Sequence, residues 1–196
     1  MGKMPSFYRK NIAQGAIRRV GASNAERQEE VMQAVYWCLV IAMHTGLGMG
    51  KETLDKFGAE MQIVTDQFEA RVNAEGRRRA EDWLENQTAG LVFLLPADGP
   101  IKKPRDREEL ARKRQDAEPV WRLCAMALGR MGYGNVRRQR WLEKGKEEYR
   151  WFLEWAKDGD AYGFERLRQA LEQILHESME LITEAGRNPV YSKTMW

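Results

Sequence analysis

Apolar residues recur at intervals of three and four along most of the chain, which is the spacing that one buried helical face produces. A first helix is predicted to begin at Ser23, because Ser23 and Glu26 have the spacing of a capping box. The glycines at 46, 48 and 50 end it, and further helices are predicted over residues 51–73, 77–87, 106–116, 120–131, 135–155 and 164–185. The pattern therefore predicts an all-α fold, a helical bundle.

Residues 88–105 depart from this pattern. A short apolar run, Leu91–Leu95, is followed by three prolines within ten residues. Such a run predicts either a short β-hairpin near residues 91–103 or an extended segment packed on the helices. The predicted organisation is a flexible basic arm at 1–22, a first helical unit at 23–90, a linker with a charged helix at 91–118, a second helical unit at 119–186 and a tail at 187–196.

A weak internal repeat relates the two helical units. When the chain is shifted by 84 residues, six positions within the predicted helices and their turns carry identical residues. The matching pairs are Trp37 with Trp121, Leu39 with Leu123, Gly48 with Gly132, Gly50 with Gly134, Phe68 with Phe152 and Glu81 with Glu165. The repeat predicts two related three-helix units. Coincidence between two similar helical hairpins is the alternative.

Composition limits the class of protein. The 196 residues are 43% hydrophobic and include 7 Trp, 6 Phe and 6 Tyr, which is too apolar for a disordered chain. The longest apolar run, Val35–Met43, is much shorter than the roughly 20 residues of a membrane span, so no membrane partner is expected. The 2 Cys lie in apolar surroundings, which favours a reducing cytoplasm over a disulfide framework.

Catalytic signatures are lacking in the sequence. Gly46–Lys51 looks like a phosphate-binding loop, but the spacing of that motif would require a glycine at Thr45 and a hydroxyl residue at Glu52. His44 and His176 have no second ligand at helical spacing, so we expect no metal site. We therefore expect no enzyme activity and no cofactor.

Two groups of residues are candidates for binding a partner or a nucleic acid. The first is basic, because the net charge of +3 conceals local surpluses of Lys and Arg. It comprises Lys102, Lys103, Arg105, Arg130, Arg137, Arg138 and Arg140. The last three would lie in the first turns of a helix that follows a turn, as in a helix-turn-helix protein. The second group is Trp151 and Trp155, which could anchor a partner or stack on bases, although core packing or a solvated surface would also explain residues of both groups.

The segment His44-Thr45-Gly46-Leu47-Gly48-Met49-Gly50-Lys51-Glu52-Thr53-Leu54-Asp55-Lys56-Phe57 combines a His, a Gly-x-Gly turn and Lys, Leu and Phe at helical spacing. Together with the apolar helix before it, it resembles small uncharacterised proteins of phages and prophages in Gram-positive bacteria. The resemblance covers about fifty residues and carries no catalytic residues. It implies a mobile-element origin and nothing more. Together with the reducing cytoplasm that the cysteines favour, this gives the cytoplasm of a bacterial host cell as the expected location.

These observations give two functional expectations. The first is a non-catalytic phage or prophage accessory protein that binds a host protein or nucleoprotein. It would inhibit a defence complex such as a CRISPR nuclease, in the manner of an anti-CRISPR protein. The alternative is a helix-turn-helix-like regulator that binds DNA through Arg137, Arg138 and Arg140, and RNA is a further nucleic-acid candidate.

Overall fold

The computed structural model describes residues 22–176, 179–183 and 189–193. Most of them belong to helices, as the apolar spacing predicts. The helices are α1 (Ala22–Leu47), α2 (Lys51–Glu75), α3 (Arg77–Gln87), α4 (Pro104–Arg130), α5 (Asn135–Ala156) and α6 (Asp160–Leu175). Two short strands, β1 (Met179–Thr183) and β2 (Pro189–Lys193), pair antiparallel after them. The predicted arm, apart from its last residue, lies outside the described residues, as do parts of the predicted tail.

Glycines end α1 and α4 in the same way. Gly48 and Gly132 follow these helices with φ values of 69° and 87°, a backbone conformation that residues with a Cβ rarely adopt. The residue after each glycine then forms a backbone hydrogen bond to the last turns of the helix. Met49 donates its backbone N–H to the Met43 carbonyl at 3.2 Å, and Tyr133 donates to the Leu128 carbonyl at 3.0 Å. The carbonyls at both helix ends are thereby bonded.

The predicted separation of a helix over 106–116 from a helix over 120–131 is wrong. Helix α4 runs without interruption through Pro119 and joins the charged segment at 106–116 to the apolar segment at 120–131. A proline inside a helix removes one hydrogen bond and costs about 3 kcal/mol. Burial of α4 residues on both sides of Pro119, among them Ala117, Val120 and Trp121, offsets that cost.

The last predicted helix, over 164–185, is also partly wrong. Helix α6 ends at Leu175, and His176 follows with φ 53°, in the left-handed region that ends helices. Met179 and Ile182, which continue the apolar spacing of α6, belong to β1 instead. The interval is ambiguous in sequence, because short apolar runs fit either a helix or a strand.

The core is built from helices of both halves of the chain. Helix α1 is buried along Val35–Met43, and it packs mainly against α5 and also against α4 and α6. Helix α4 in turn packs against the α2–α3 pair. Each long helix therefore lies on the helix pair of the other half, and the two halves are interleaved in one bundle.

The helices of the two halves correspond at the same offset of 84 residues. Lys51 begins α2 and Asn135 begins α5, while α1 and α3 correspond within two residues to α4 and to the start of α6. Contacts between the halves correspond as well. Arg130 of α4 pairs with Glu60 of α2 at 2.6 Å, and the positions 84 residues away, Gly46 and Lys144, also lie against each other. Exchanging the halves therefore reproduces the packing approximately.

The predicted β-hairpin near residues 91–103 is wrong, because no strand occurs there. Residues 91–95, called the strap below, instead lie against the helices. Their side chains alternate: Leu91, Phe93 and Leu95 are buried, whereas Val92 and Leu94 are exposed. This alternation is typical of an extended chain, which was the other predicted alternative.

Side chains of the flanking helices hold the strap in place. The Gln139 amide accepts a hydrogen bond from the Val92 N–H and donates one to the Val92 carbonyl, both at 3.0 Å. One side chain thus forms the pair of hydrogen bonds that a neighbouring β-strand would form. On α4, Arg114 Nε donates to the Leu95 carbonyl at 3.1 Å.

Candidate binding surfaces

Arg130 and Arg138 both bond to other parts of the protein, although Arg130 stays exposed. Arg130 forms the ion pair with Glu60 that joins α4 to α2. Arg138 lies against Gly129 and donates from Nη1 to the Ala125 carbonyl at 3.0 Å and from Nη2 to the side-chain oxygen of Asn135. Partial burial lowers the pKa of the Arg138 guanidinium, whose Nε is enclosed and has no hydrogen-bond partner in the described chain. Through these bonds the Arg138 side chain connects the end of α4 to the start of α5.

Arg137 and Arg140 differ from these two arginines. Both are exposed, and neither takes part in a hydrogen bond or ion pair within the part of the chain that the structure describes. Between them and the strap lies Val136, which is 86% exposed. Because the first turn of α5 contains no acidic residue, nothing there neutralises the arginines. The start of α5 is thus both basic and apolar.

Lys102, Lys103 and Arg105 lie far from that region. They are exposed at the start of α4, where the backbone N–H groups of Lys102 and Lys103 donate to Asp106. Helix α4 has 27 residues, so about 40 Å of helix separates them from Arg130. The structure therefore does not bring the basic candidates together in one site.

Trp151 and Trp155 have different environments. Trp151 is 57% exposed on α5, whereas Trp155 is half-buried at the edge of the core. The Arg166 guanidinium of α6 lies 5.5 Å from the centroid of the Trp155 ring, a cation–π distance. Tyr162, one turn before Arg166 on α6, is also exposed. These four residues are called the aromatic surface below.

The other aromatic residues of α5 belong to the core. Trp141, Tyr149 and Phe152 are buried, and Trp141 Nε1 donates to the Leu39 carbonyl of α1 at 2.9 Å. Burial raises the pKa of the Tyr149 hydroxyl far above its ordinary value. One helix therefore presents aromatic residues to the core and, on another face, Trp151 to solvent.

A helix-turn-helix arrangement requires the two helices to pack on each other. Helix α5 packs mainly against α1 and α6 and only slightly against α4, although the turn between α4 and α5 is short. Of the three arginines predicted to contact DNA, Arg138 is already bonded within the protein. Arg137 and Arg140 remain accessible.

A further basic group, at the start of α3, was missed in the sequence. Arg78 and Arg79 are exposed, and Arg77 pairs with Glu81 at 2.7 Å. The run Arg77-Arg78-Arg79 was visible, but two glutamates nearby made its local charge surplus small. Arg77 also lies close enough to Asp116 of α4 to influence its titration.

The segment that resembles a phosphate-binding loop is a turn between two helices. His44 lies in the last turn of α1, and its Nδ1–H donates to the Met49 carbonyl at 2.8 Å, so its imidazole holds the turn. Cys38 and Cys124 are buried, and burial raises the pKa of both thiols. Within the described ranges, no three His, Cys, Asp or Glu side chains are grouped so that they could hold a metal ion.

No protein-family model matches the chain, and no curated protein or solved structure does either. Among the residues that the structure describes, none of the helices combines the length and the apolar character that crossing a bilayer requires. Evidence on function therefore comes from the surfaces themselves.

Proposed function

We propose that this protein acts by binding, and that its partner is a host protein or nucleoprotein such as a bacterial defence complex, which it would inhibit as anti-CRISPR proteins do. The observation that carries the proposal is the exposure of Trp151 within the aromatic surface. Tryptophan, tyrosine and arginine are the residues in which the binding energy of protein interfaces is concentrated. The resemblance of residues 44–57 to phage proteins supports a host partner.

The test is capture of a host complex by the purified protein, with Trp151→Ala compared with wild type. We expect the variant to bind the captured complex about 30-fold more weakly, because interface hot spots contribute about 2 kcal/mol or more. Arg150→Ala, at the neighbouring exposed position, is the matched control and should bind like wild type. Equal binding by Trp151→Ala would contradict the role of the aromatic surface.

Inhibition is tested separately with a purified CRISPR nuclease and its guide RNA. We expect the protein to stop cleavage of target DNA when it is in excess. Undiminished cleavage by nucleases from the host would reject this class of partner, while leaving other host complexes to be examined by the capture experiment.

A second candidate function is DNA binding, which the two unpaired arginines at the start of α5 favour. The sharpest variant is Arg137→Ala/Arg140→Ala, because replacing Arg138 as well would also remove hydrogen bonds that stabilise the fold. If these arginines contact phosphates, the variant should bind duplex DNA with a smaller salt dependence. The slope of log K against log salt concentration should fall by about one for each arginine replaced. Fluorescence anisotropy at two salt concentrations measures that change.

We also propose that the chain arose by duplication of a three-helix unit. The corresponding helix boundaries, the paired left-handed glycines and the paired contacts between the halves support a common origin. Under this proposal each residue of one half can be compared with the residue 84 positions away in the other half.

A further inference from the structure

The strap adjoins the start of α5 through the Val92–Gln139 hydrogen bonds, and the exposed side chains of both are together called the α5-start surface below. Its members are Val92, Leu94, Val136, Arg137 and Arg140. Val92 and Leu94 are 54% and 55% exposed, and Val136 is the most exposed large apolar residue of the described chain. A group of exposed apolar side chains bordered by charged residues is typical of an interaction site.

Three contacts fix the position of the strap beside α5. Gly90 lies next to Asn135, since an added Cβ would be 3.8 Å from Asn135 Nδ2. Two residues later, Val92 is bonded to Gln139, and Phe93 lies against Gly145 further along α5. The strap and α5 therefore run in the same direction. Val136, one turn before Gln139, is its neighbour on the surface of α5, and Gln139 bonds to the strap at Val92.

The start of α2 differs from this surface at two of the three corresponding positions. The positions 84 residues before Val136, Arg137 and Arg140 are Glu52, Thr53 and Lys56. There, Lys51 pairs with Asp55 at 3.1 Å, so the first turns of α2 are polar and internally neutralised. Val136 and Arg137 therefore have no equivalent at the start of α2, whereas Arg140 corresponds to another basic residue, Lys56.

We propose that the α5-start surface docks an acidic segment of a partner protein that also carries apolar side chains. Carboxylates match the two arginines, which bind them in a planar, two-bonded geometry. The positive end of the α5 dipole adds to the attraction, since the first turn contains no acidic residue. Nucleic acid would satisfy the arginines but would place phosphates against three apolar side chains. An acidic, apolar peptide satisfies both halves of the surface.

This inference rests on the proposed function, because it assigns a surface and a partner chemistry to a binding protein. The first experiment is selection of a random 16-residue peptide library on the full-length protein. We expect the enriched peptides to combine Asp or Glu with Leu, Ile or Phe. A synthetic peptide of the enriched sequence should bind more weakly as the salt concentration rises, because its ion pairs are screened.

The deciding variant is Val136→Glu/Arg137→Thr, which gives α5 the residues that α2 carries at the same places. We expect it to weaken binding of the synthetic peptide at least tenfold. Arg78→Ala/Arg79→Ala is the matched control, since it also lowers the net charge by two at exposed positions but lies on α3. It should bind within twofold of wild type. Leu94→Lys tests the strap independently and should also weaken binding.

Several results would overturn the proposal. They are an enriched sequence without acidic residues, no enriched sequence at all, equal losses in the α3 control, or tighter binding of duplex DNA than of any peptide at this surface. Failure of the proposed function is distinguishable, because it is tested by capture of a host complex and by Trp151→Ala. Peptide binding that survives Trp151→Ala assigns the α5-start surface its own contacts.

Discussion

Arg138 hydrogen-bonds the Ala125 carbonyl, near the end of α4, and the Asn135 side chain at the start of α5. The guanidinium thereby ties together two helices that otherwise contact each other only slightly. Such a bond between a charged donor and a partly buried carbonyl contributes about 1–3 kcal/mol.

We expect Arg138→Ala to lower the free energy of unfolding by about 1–2 kcal/mol, because it leaves the Ala125 carbonyl without this donor. Urea denaturation followed by circular dichroism measures the change. Arg137→Ala, an exposed neighbour, should change stability by less than about 0.5 kcal/mol. Equal stability of the two variants would show that Arg138 does not join the helices.

Asp116 gives the protein a predictable pH dependence. Burial raises the pKa of its carboxyl above the ordinary value of 3.8, although Arg112 and Arg77 partly oppose the shift. The folded protein therefore binds more protons than the unfolded chain between the two pKa values, and this group makes stability fall as the pH rises through that interval.

We expect Asp116→Asn to remove this contribution to the pH dependence of stability. The variant should also be more stable than wild type at pH 7. Melting temperatures measured from pH 3.5 to pH 7 test it, with Asp82→Asn as the control at an exposed position. A lower melting temperature of Asp116→Asn at pH 7 would mean that its attraction to Arg112 and Arg77 outweighs the burial.

At the level of elements, glycine placement predicted most helix boundaries. The Gly-x-Gly turns before Lys51 and Asn135 gave the starts of α2 and α5 correctly. The helix through Pro119 was not predicted because it depends on tertiary burial that a local pattern does not contain. The segment after Leu175 was not predicted because its apolar spacing fits either a helix or a strand. A local pattern also could not decide whether the strap is extended or part of a hairpin, since the side chain that bonds it, Gln139, lies 47 residues later in the sequence.

Gln139→Ala should loosen the strap. The variant loses both hydrogen bonds to Val92, so we expect faster amide exchange at Val92 and a stability loss of about 1–2 kcal/mol. Hydrogen exchange followed by NMR measures the first effect. Gln139→Glu keeps the acceptor but not the donor and should give an intermediate result; unchanged exchange in Gln139→Ala would mean that buried Phe93 and Leu95 hold the strap alone.

The whole molecule depends on contacts between its halves. Helix α1 packs on α5 and α6, and α4 packs on α2 and α3, so neither half contains the main partners of its own long helix. Sequence comparison at an offset of 84 predicted the repeat, but could not give this exchange, because the same helices could also pack within each unit.

Contacts between residues distant in sequence also limited prediction of the binding surfaces. Runs of basic residues indicated Arg130, Arg137, Arg138 and Arg140, yet Arg130 is paired with Glu60 and Arg138 is half-buried and bonded to Ala125. The partners responsible, Glu60 and Ala125, lie 70 and 13 residues away in sequence. Exposure of Val136 likewise follows from which face of α5 meets the core, and that face is set by α1 and α6.

Separating the halves tests the exchange directly. We expect residues 22–100 and 101–196, expressed alone, each to lack stable helical structure, because α1 and α4 would each expose an apolar face. Mixed together, they should form a folded one-to-one complex. Circular dichroism and size-exclusion chromatography measure both outcomes; a monomeric, fully helical first fragment would contradict the interleaved packing.

The position of α1 in this arrangement also matters while the protein is being made. Leu39 bonds to Trp141, which leaves the ribosome 102 residues later. At a synthesis rate of about 5–20 residues per second, about 5–20 s separate the two events. Throughout that interval Val35–Met43, buried in the folded protein, lacks its main partner, α5, most of which has not yet been made. For several seconds the nascent chain thus carries an apolar helix without its main partner, the kind of surface that makes incompletely folded chains prone to aggregate.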